Sequence, residues 1–177
     1  MIRRAAPRRL VRAVAAAAAA AVLASCASSG DRGGAASGQA GPPAAVGAAA
    51  QAYQRAILGH HWELTCGAET ARARHGDSVA RCIELAGPDP DRGSTIPVSV
   101  DTPLPVPATG THPAGWAVAT RHTVTEPGRE PYEVVMAVRV VDDAGTWRID
   151  QYEPVDGADP QLSPHPAVAA LLGGDRR

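Results

Sequence analysis

The stretch YEVVMAVRVV, Tyr132–Val141, alternates between two side-chain faces. Side chains of a β-strand point alternately to opposite sides, so every second residue shares a face. One face carries Tyr132, Val134, Met136, Val138 and Val140, and the other carries Glu133, Val135, Ala137, Arg139 and Val141. The alternation predicts the longest strand of a β-sheet over these residues.

Shorter alternating stretches flank this strand at Ile96–Val100, Trp116–Val124 and Trp147–Gln151. The four residues Asp142–Gly145 are typical of the turn that would join the last two strands. Between the first two strands, Pro103–Pro113 is too rich in proline for a central strand, so we expect a loop there. The pattern therefore indicates an antiparallel sheet of about four strands.

Charged residues on the last three strands are expected on a solvated sheet face, with a docking surface as the alternative. They are Arg121, Glu133, Arg139, Arg148 and Asp150. If the last hairpin has a two-residue loop, we expect Arg139 opposite Arg148, which would place like charges together. Trp147, Ile149 and Gln151 are expected to share one face of the last strand.

Helical patterns precede the strands. After Pro42 and Pro43, apolar residues spaced by three and one predict a helix that ends near Gly59. Its apolar stripe consists of Ala49, Ala52, Tyr53, Ala56 and Ile57. Further short helices are expected over His61–Ala73 and Ser78–Leu85, the latter capped by Ser78. Helices followed by a meander predict an α+β fold with N-terminal helices packed on a curved sheet.

Three cysteines occur, at positions 26, 66 and 82. Cys66 and Cys82 are equidistant from residue 74, which lies in the turn between the two short helices. Antiparallel neighbouring helices would bring these cysteines together, and an exported protein can form a disulfide. A reactive dithiol is the alternative, but redox pairs usually have the spacing Cys-x-x-Cys. We therefore expect a structural disulfide.

The N-terminus has the features of an export signal. Five arginines and no acid precede an alanine-rich apolar run of about a dozen residues, which is shorter than a membrane span. The run ends in Leu23-Ala24-Ser25-Cys26, which resembles the lipobox of bacterial lipoproteins. The resemblance implies cleavage before Cys26, lipidation of its sulfur and residence at the outer face of the cytoplasmic membrane.

Four segments follow from these patterns. Residues 1–25 are interpreted as the signal peptide, 26–43 as the lipidated cysteine with a flexible Gly/Ser/Ala tether, and 44–156 as one α+β domain. Residues 157–177 are expected to form a loose tail with at most a short helix at Ala167–Leu172.

The net charge of the chain after removal of the signal peptide narrows the classes of partner that it can bind. Removing residues 1–25 takes five of the 17 basic residues and no acid, which leaves 12 basic and 18 acidic residues and a net charge of −6. This charge argues against nucleic acid as a partner and against electrostatic adhesion to anionic lipid. Membrane attachment would then depend on the acyl chains of Cys26.

Several of these features together resemble a known group. They are the pattern Ala-x-x-Tyr-x-x-Ala-Ile at Ala50–Ile57, the Trp-led second helix, the cysteine pair, and Trp147–Asp150 after the Asp-Asp-Ala-Gly turn. Over residues 44–155 the chain resembles small actinobacterial lipoproteins with a cone-shaped, nuclear-transport-factor-like or polyketide-cyclase-like domain. The resemblance implies a cavity between helix and sheet, but no particular activity, because this fold carries many functions.

Candidate cavity-lining residues are Tyr53, Trp62, Trp116, His122, Met136 and Asp150. His122 would be a general base there, and Tyr53 and Asp150 would supply a donor and a carboxylate. A buried structural histidine is the alternative for His122. No catalytic set, metal-ligand spacing or cofactor motif is recognised; adjacent His60 and His61 diverge on a helix.

These patterns favour a membrane-anchored, non-enzymatic lipoprotein that binds a small apolar ligand or an envelope protein. One alternative is an isomerase- or cyclase-like enzyme that uses the cavity. Another is a structural or assembly subunit of an envelope complex.

Replacing Cys26 with Ala is expected to abolish lipidation and release the protein from the membrane fraction, because the acyl chains are the proposed anchor. Globomycin, which inhibits lipoprotein signal processing, is expected to leave the precursor uncleaved. Cell fractionation and electrophoretic mobility measure both effects. Unchanged processing and unchanged membrane association would contradict the lipoprotein assignment.

Overall fold

An antiparallel sheet with helices on both faces forms the domain. The computed structural model describes residues 42–87 and 96–174, so the predicted signal, Cys26 and the tether up to residue 41 lie outside the described residues. The strands are β1 (Ser99–Val100), β2 (Leu104–Val106), β3 (Gly115–Val124), β4 (Tyr132–Asp143) and β5 (Thr146–Pro154). The order is β1-β3-β4-β5, and β2 also pairs with β3.

One face of the sheet packs against the first helix, α1 (Pro42–Gly59). Its Val46, Ala50 and Tyr53 belong to the same buried cluster as Val118 and Val138 of the sheet. Of the predicted apolar stripe of α1, Tyr53 and Ala56 are buried but Ala52 is exposed, and the buried face is completed by Val46 and Ala50 instead. The α+β class and the packing of helices on an antiparallel sheet are confirmed.

The opposite face of the sheet is covered by the C-terminal helix α4 (Pro166–Gly174). Leu171 of α4 is fully buried and clusters with Ala119 and Ala137. The short helix allowed at Ala167–Leu172 within the tail is present as α4, but it packs on the sheet and is not loose. The physical reason is that both faces of β4 are apolar at their centre, so each needs a covering layer.

One difference concerns the edge of the sheet. Within the stretch expected to be a loop, Leu104–Val106 forms the short strand β2, so the described sheet has five strands rather than about four. Pro105 is tolerated there because β2 is an edge strand whose only partner is β3. Arg121 pairs with Asp101 and Glu133 on the exposed part of the sheet, as a solvated face predicts.

The two short helices are α2 (Trp62–Ala68) and α3 (Val79–Ala86). The second helix is shorter than expected because the chain becomes extended at Glu69 and hydrogen-bonds to β5 through the Thr70 N–H and the Ile149 carbonyl. Ser78 caps α3 by accepting the N–H of Arg81. The predicted disulfide is confirmed between Cys66 and Cys82, whose Cα atoms lie 5.9 Å apart.

The β4–β5 hairpin contains a β-bulge that sequence periodicity does not reveal. Its two-residue turn, Ala144–Gly145, has both φ angles positive (53° and 84°), and Asp143 pairs with Thr146. The register then shifts, so that Val140 faces Ile149 while Arg139 faces Gln151. Asp150 is the extra residue between them.

The turn and the bulge correct two expectations. Because the two-residue turn is Ala144–Gly145, Arg148 pairs with Val141, and the bulge then places Arg139 opposite Gln151 and not opposite Arg148. Because one residue is inserted, Gln151 turns to the face of α4, whereas Ile149 and Tyr152 pack on the face of α1. Arg139 and Asp150 are 0% and 2% exposed, so they do not belong to a solvated face.

Replacing Cys66 and Cys82 with Ser is expected to lower the free energy of unfolding by about 3 kcal/mol, because the disulfide closes a loop of about 15 residues. Urea unfolding of the double variant against the oxidised parent measures this loss. Reduction of the parent is the matched control and should produce a similar loss. Equal stability of all three forms would show that the disulfide does not stabilise the fold.

Candidate functional site

A cleft of about 330 Å³ lies where α1, the turn after α2 and the end of β5 meet. We call it the polar cleft, because charged and hydrogen-bonding side chains dominate its wall. Its lining consists of Tyr53, Glu69, Arg72, Ala73, His75, His112, Ile149, Asp150, Gln151, Tyr152 and Glu153.

Asp150 is the buried acid of the polar cleft. Its carboxylate accepts a hydrogen bond from Thr70 Oγ1 at 2.8 Å and lies 2.7 Å from Nδ1 of His112. Arg72 Nε approaches the same carboxylate at 4.0 Å from a half-exposed position. An ionised carboxylate only accepts hydrogen bonds, so Nδ1 of His112 carries the proton in this pair. The bulge places the carboxylate where the loop and the turn reach it.

Arg139 holds the loop that carries His112. Its Nη1 donates to the carbonyls of Pro107 (2.8 Å) and Pro113 (2.9 Å), one on each side of His112. Its Nε donates to Oε1 of Gln151 at 3.0 Å. One buried guanidinium therefore connects the proline-rich loop to the segment of β5 that contains the bulge.

Tyr53 forms a second polar pair in the polar cleft. Its hydroxyl donates to Glu69 Oε1 at 2.7 Å. Burial, followed by the negative charge of Glu69, raises the pKa of Tyr53 well above its usual value, so the hydroxyl remains a donor. The ring of Tyr53 packs edge-to-face on Tyr152, with centroids 5.7 Å apart.

A buried glutamine supports this aromatic pair from α1. Gln54 is 1% exposed, and its Oε1 accepts hydrogen bonds from Tyr152 (2.8 Å) and Thr120 (3.1 Å). Burial raises the pKa of Tyr152. The position of Tyr152 in the wall of the polar cleft is thus determined by a residue that the sequence pattern did not single out.

The structure brings together two of the six residues expected to line a cavity, Tyr53 and Asp150. Trp116 packs on the α1 face of the core, and Met136 pairs with Thr120 and Pro154. Trp62 stacks on His60, with ring centroids 5.2 Å apart. These three side chains do not line the polar cleft.

His122 also lies outside the polar cleft. It is 8% exposed, and no described residue hydrogen-bonds to its Nδ1. Desolvation by burial lowers the pKa of His122. This environment fits a buried structural histidine and not a base in the polar cleft, because neither Tyr53 nor Asp150 pairs with His122.

The space between α1 and the sheet is filled by the core and is not the site of the cleft. Val46, Ala50, Val118 and Val138 are all fully buried there. The polar cleft is instead displaced to the end of this layer, beyond Tyr53. The polar cleft is therefore not a cavity between α1 and the centre of the sheet, where the resemblance to cone-shaped folds implies one.

Sequence reasoning missed Glu69, Arg72 and His112. The partner of His112, Asp150, is 38 residues away in the chain, and no local pattern joins the two. The proline-rich loop that carries His112 lies against the β4–β5 hairpin at the bulge. Without knowledge of the bulge, the sequence does not indicate that His112 and Asp150 meet. Local patterns do not contain that information.

Within residues 42–87 and 96–174 there is no group of three or more His, Cys, Asp and Glu side chains arranged to hold a metal ion. None of the described helices is both long enough and apolar enough to cross a membrane. No protein-family model, curated protein or solved structure matches the chain.

The free energy of unfolding is expected to fall as the pH is lowered from 7.5 to 5, with a contribution from His122. Because the folded pKa of His122 is below the unfolded value of about 6.5, the unfolded chain binds the proton first. Stability from the neutral ring is thus present above pH 6.5 and is lost as the pH falls towards the folded pKa.

Urea unfolding of His122→Gln at both pH values measures this contribution and is expected to show a weaker pH dependence than the parent. His75→Gln is the control, since His75 is exposed. An identical pH dependence of the parent and His122→Gln would contradict the assignment of a desolvated, neutral His122.

Proposed function

We propose that this protein is an exported, lipid-anchored and non-enzymatic binding protein whose polar cleft takes a small ligand with several hydrogen-bonding groups. The observation that carries the proposal is the Asp150 carboxylate, 2% exposed, in the wall of an accessible cleft. Burying a carboxylate is costly unless it is well paired, and His112 and Thr70 pair it here. Such an arrangement supports a prepared polar site.

The polar wall of the cleft favours a different ligand from the small apolar one expected from the sequence. Carboxylates of Glu69 and Glu153, the amide of Gln151 and the guanidinium of Arg72 all line the polar cleft. A purely apolar ligand would remove water from these groups without replacing their hydrogen bonds. The polar lining therefore favours a ligand that both donates and accepts hydrogen bonds.

The anchor, the location and the fold family belong to the same proposal. The lipobox-like sequence before Cys26 supports attachment to the outer face of the cytoplasmic membrane. The packing of α1 on an antiparallel sheet supports a cone-shaped, nuclear-transport-factor-like domain of the actinobacterial lipoprotein type. The filled space beneath α1 and the helix α4 on the other face are departures from that expectation.

A second candidate function is acid–base catalysis in the polar cleft. It is favoured by one observation, the 2.7 Å pair of His112 and Asp150, because a carboxylate that orients an imidazole is a common catalytic arrangement. In this candidate His112 replaces His122 as the base. The assembly-subunit alternative loses part of its support, since α4 covers the centre of the sheet face that it required.

The proposal is tested with the chain from residue 26 onward carrying Cys26→Ser, titrated with trehalose, choline and citrate as neutral, cationic and anionic probes. We expect at least one probe to shift the amide NMR signals of Glu69, Asp150 and Glu153. Asp150→Asn should weaken that binding about tenfold or more, because it removes the charge that holds His112. Asp77→Asn, at an acid that does not itself line the cleft, is the matched control.

Two outcomes would count against the proposal. If no probe shifts signals of the polar cleft, it does not bind these ligand classes. If Asp150→Asn and Asp77→Asn bind equally well, Asp150 does not organise the site. Chemical conversion of a bound probe that is lost in Asp150→Asn would favour the catalytic candidate instead.

A further inference from the structure

A second depression adjoins the polar cleft and has the opposite chemistry. We call it the apolar groove; it has a volume of about 270 Å³ and lies between α1, α2 and β5. Apart from Tyr53 and Ile149, its lining is Ala49, Ala52, Ala56, Leu64, Ala68 and Trp147. The groove exists because three alanines spaced by three and four residues lie on one side of α1 and fill little space.

The two depressions meet at Tyr53 and Ile149, which line both of them. Tyr53 has the character required at such a junction. Its hydroxyl is hydrogen-bonded to Glu69 in the polar cleft, while its ring contributes to the apolar groove. A tyrosine combines an apolar body with a polar end, so it suits a boundary between the two chemistries.

The apolar groove is also accessible. Leu64 is 65% exposed on its rim, and Ala52 is exposed on α1. An exposed leucine by itself needs no explanation. Here it borders a groove that is lined by alanines and a tryptophan and that continues into a polar site, which distinguishes it from an isolated surface leucine.

The charge of the polar cleft indicates which head group would fit. Asp150 is paired with His112 and Thr70, but the carboxylates of Glu69 and Glu153 form no ion pair with any basic side chain of the described residues. Arg72 is the permanently charged cation of the lining. A positively charged group is therefore better matched than an anion.

We propose that the polar cleft and the apolar groove together bind one free amphiphile with a single hydrocarbon chain and a cationic head group. The head group lies near Glu69 and Glu153, and the chain passes Tyr53 and lies along Ala52, Leu64 and Trp147. The inference rests on the proposed function, because the head group occupies the same polar cleft. It adds the chemical class of the ligand and a second half of the site.

The test uses the Cys26→Ser chain from residue 26 and primary alkylammonium ions, whose N–H groups can donate to the cleft carboxylates, below their micelle concentration. Methylammonium represents the head alone, and the butyl, hexyl and octyl compounds extend the chain. We expect each added methylene to strengthen binding by up to about fourfold. The NMR signal of the Trp147 indole N–H reports on the apolar groove, and the Glu69 and Glu153 amides report on the polar cleft.

Two groove variants and their control separate this site from general detergent binding. Ala52→Phe fills the groove from an exposed helix position, and Leu64→Ser removes the apolar rim. Both are expected to flatten the dependence of affinity on chain length. Leu85→Ser, at an equally exposed leucine of α3 outside the groove, should leave it unchanged.

The head-group half is tested by Glu69→Gln, whose side-chain oxygen can still accept the Tyr53 hydroxyl while the charge is lost. We expect a several-fold loss of affinity for octylammonium. Glu133→Gln on the exposed sheet face is the control and should not change it. Octyl sulfate, with the same chain and an anionic head, should bind more weakly than octylammonium.

The proposal is overturned if affinity is independent of chain length, or if octyl sulfate binds as well as octylammonium. It is also overturned if Ala52→Phe and Leu64→Ser behave like Leu85→Ser. In each case binding of any small polar probe in the polar cleft, weakened by Asp150→Asn and not by Asp77→Asn, would leave the proposed function standing. The proposed function itself fails when no polar probe shifts the signals of that cleft, or when Asp150→Asn binds as well as Asp77→Asn.

Discussion

The buried guanidinium of Arg139 is the interaction on which the candidate site depends. A fully buried cation must be surrounded by acceptors, and Arg139 obtains them from Pro107, Pro113 and Gln151. These contacts hold the proline-rich loop against β5 beside the bulge. His112 on that loop is thereby brought to Asp150. Gln151 in turn donates to the Leu171 carbonyl, so the same network extends to α4.

The sheet is covered on both sides at its centre. Val138 on one face and Ala137 on the other are both fully buried, under α1 and α4 respectively. Neither face is left as an open surface at its centre. The polar cleft and the apolar groove lie at the end of the α1 layer, where Tyr53 lines both of them.

The candidate site was predictable only in part. Tyr53 and Asp150 are named together only through the cavity that the resemblance implies, since strand alternation assigns Asp150 to a solvated sheet face. Their hydrogen-bonding partners, Glu69 and His112, were not predicted, because they are 16 and 38 residues distant in the chain from Tyr53 and Asp150 respectively. His122 had the more suggestive position by alternation, but it is buried in the core outside the cleft. Periodicity indicates on which face of a helix or strand a side chain lies, but not which distant residue it contacts.

The sequence by itself determined the class of each main element, the α+β order, the tight β4–β5 turn and the Cys66–Cys82 disulfide. These properties depend on local periodicity, turn chemistry and short-range spacing. Only the tertiary structure decided the bulge at Asp150, the burial of Arg139 and the packing of α4. Each of these arises from competition between distant segments for the same buried space and hydrogen-bonding groups. A one-residue shift in strand register, which no local pattern records, turns Gln151 to the other face and places the Asp150 carboxylate beside His112.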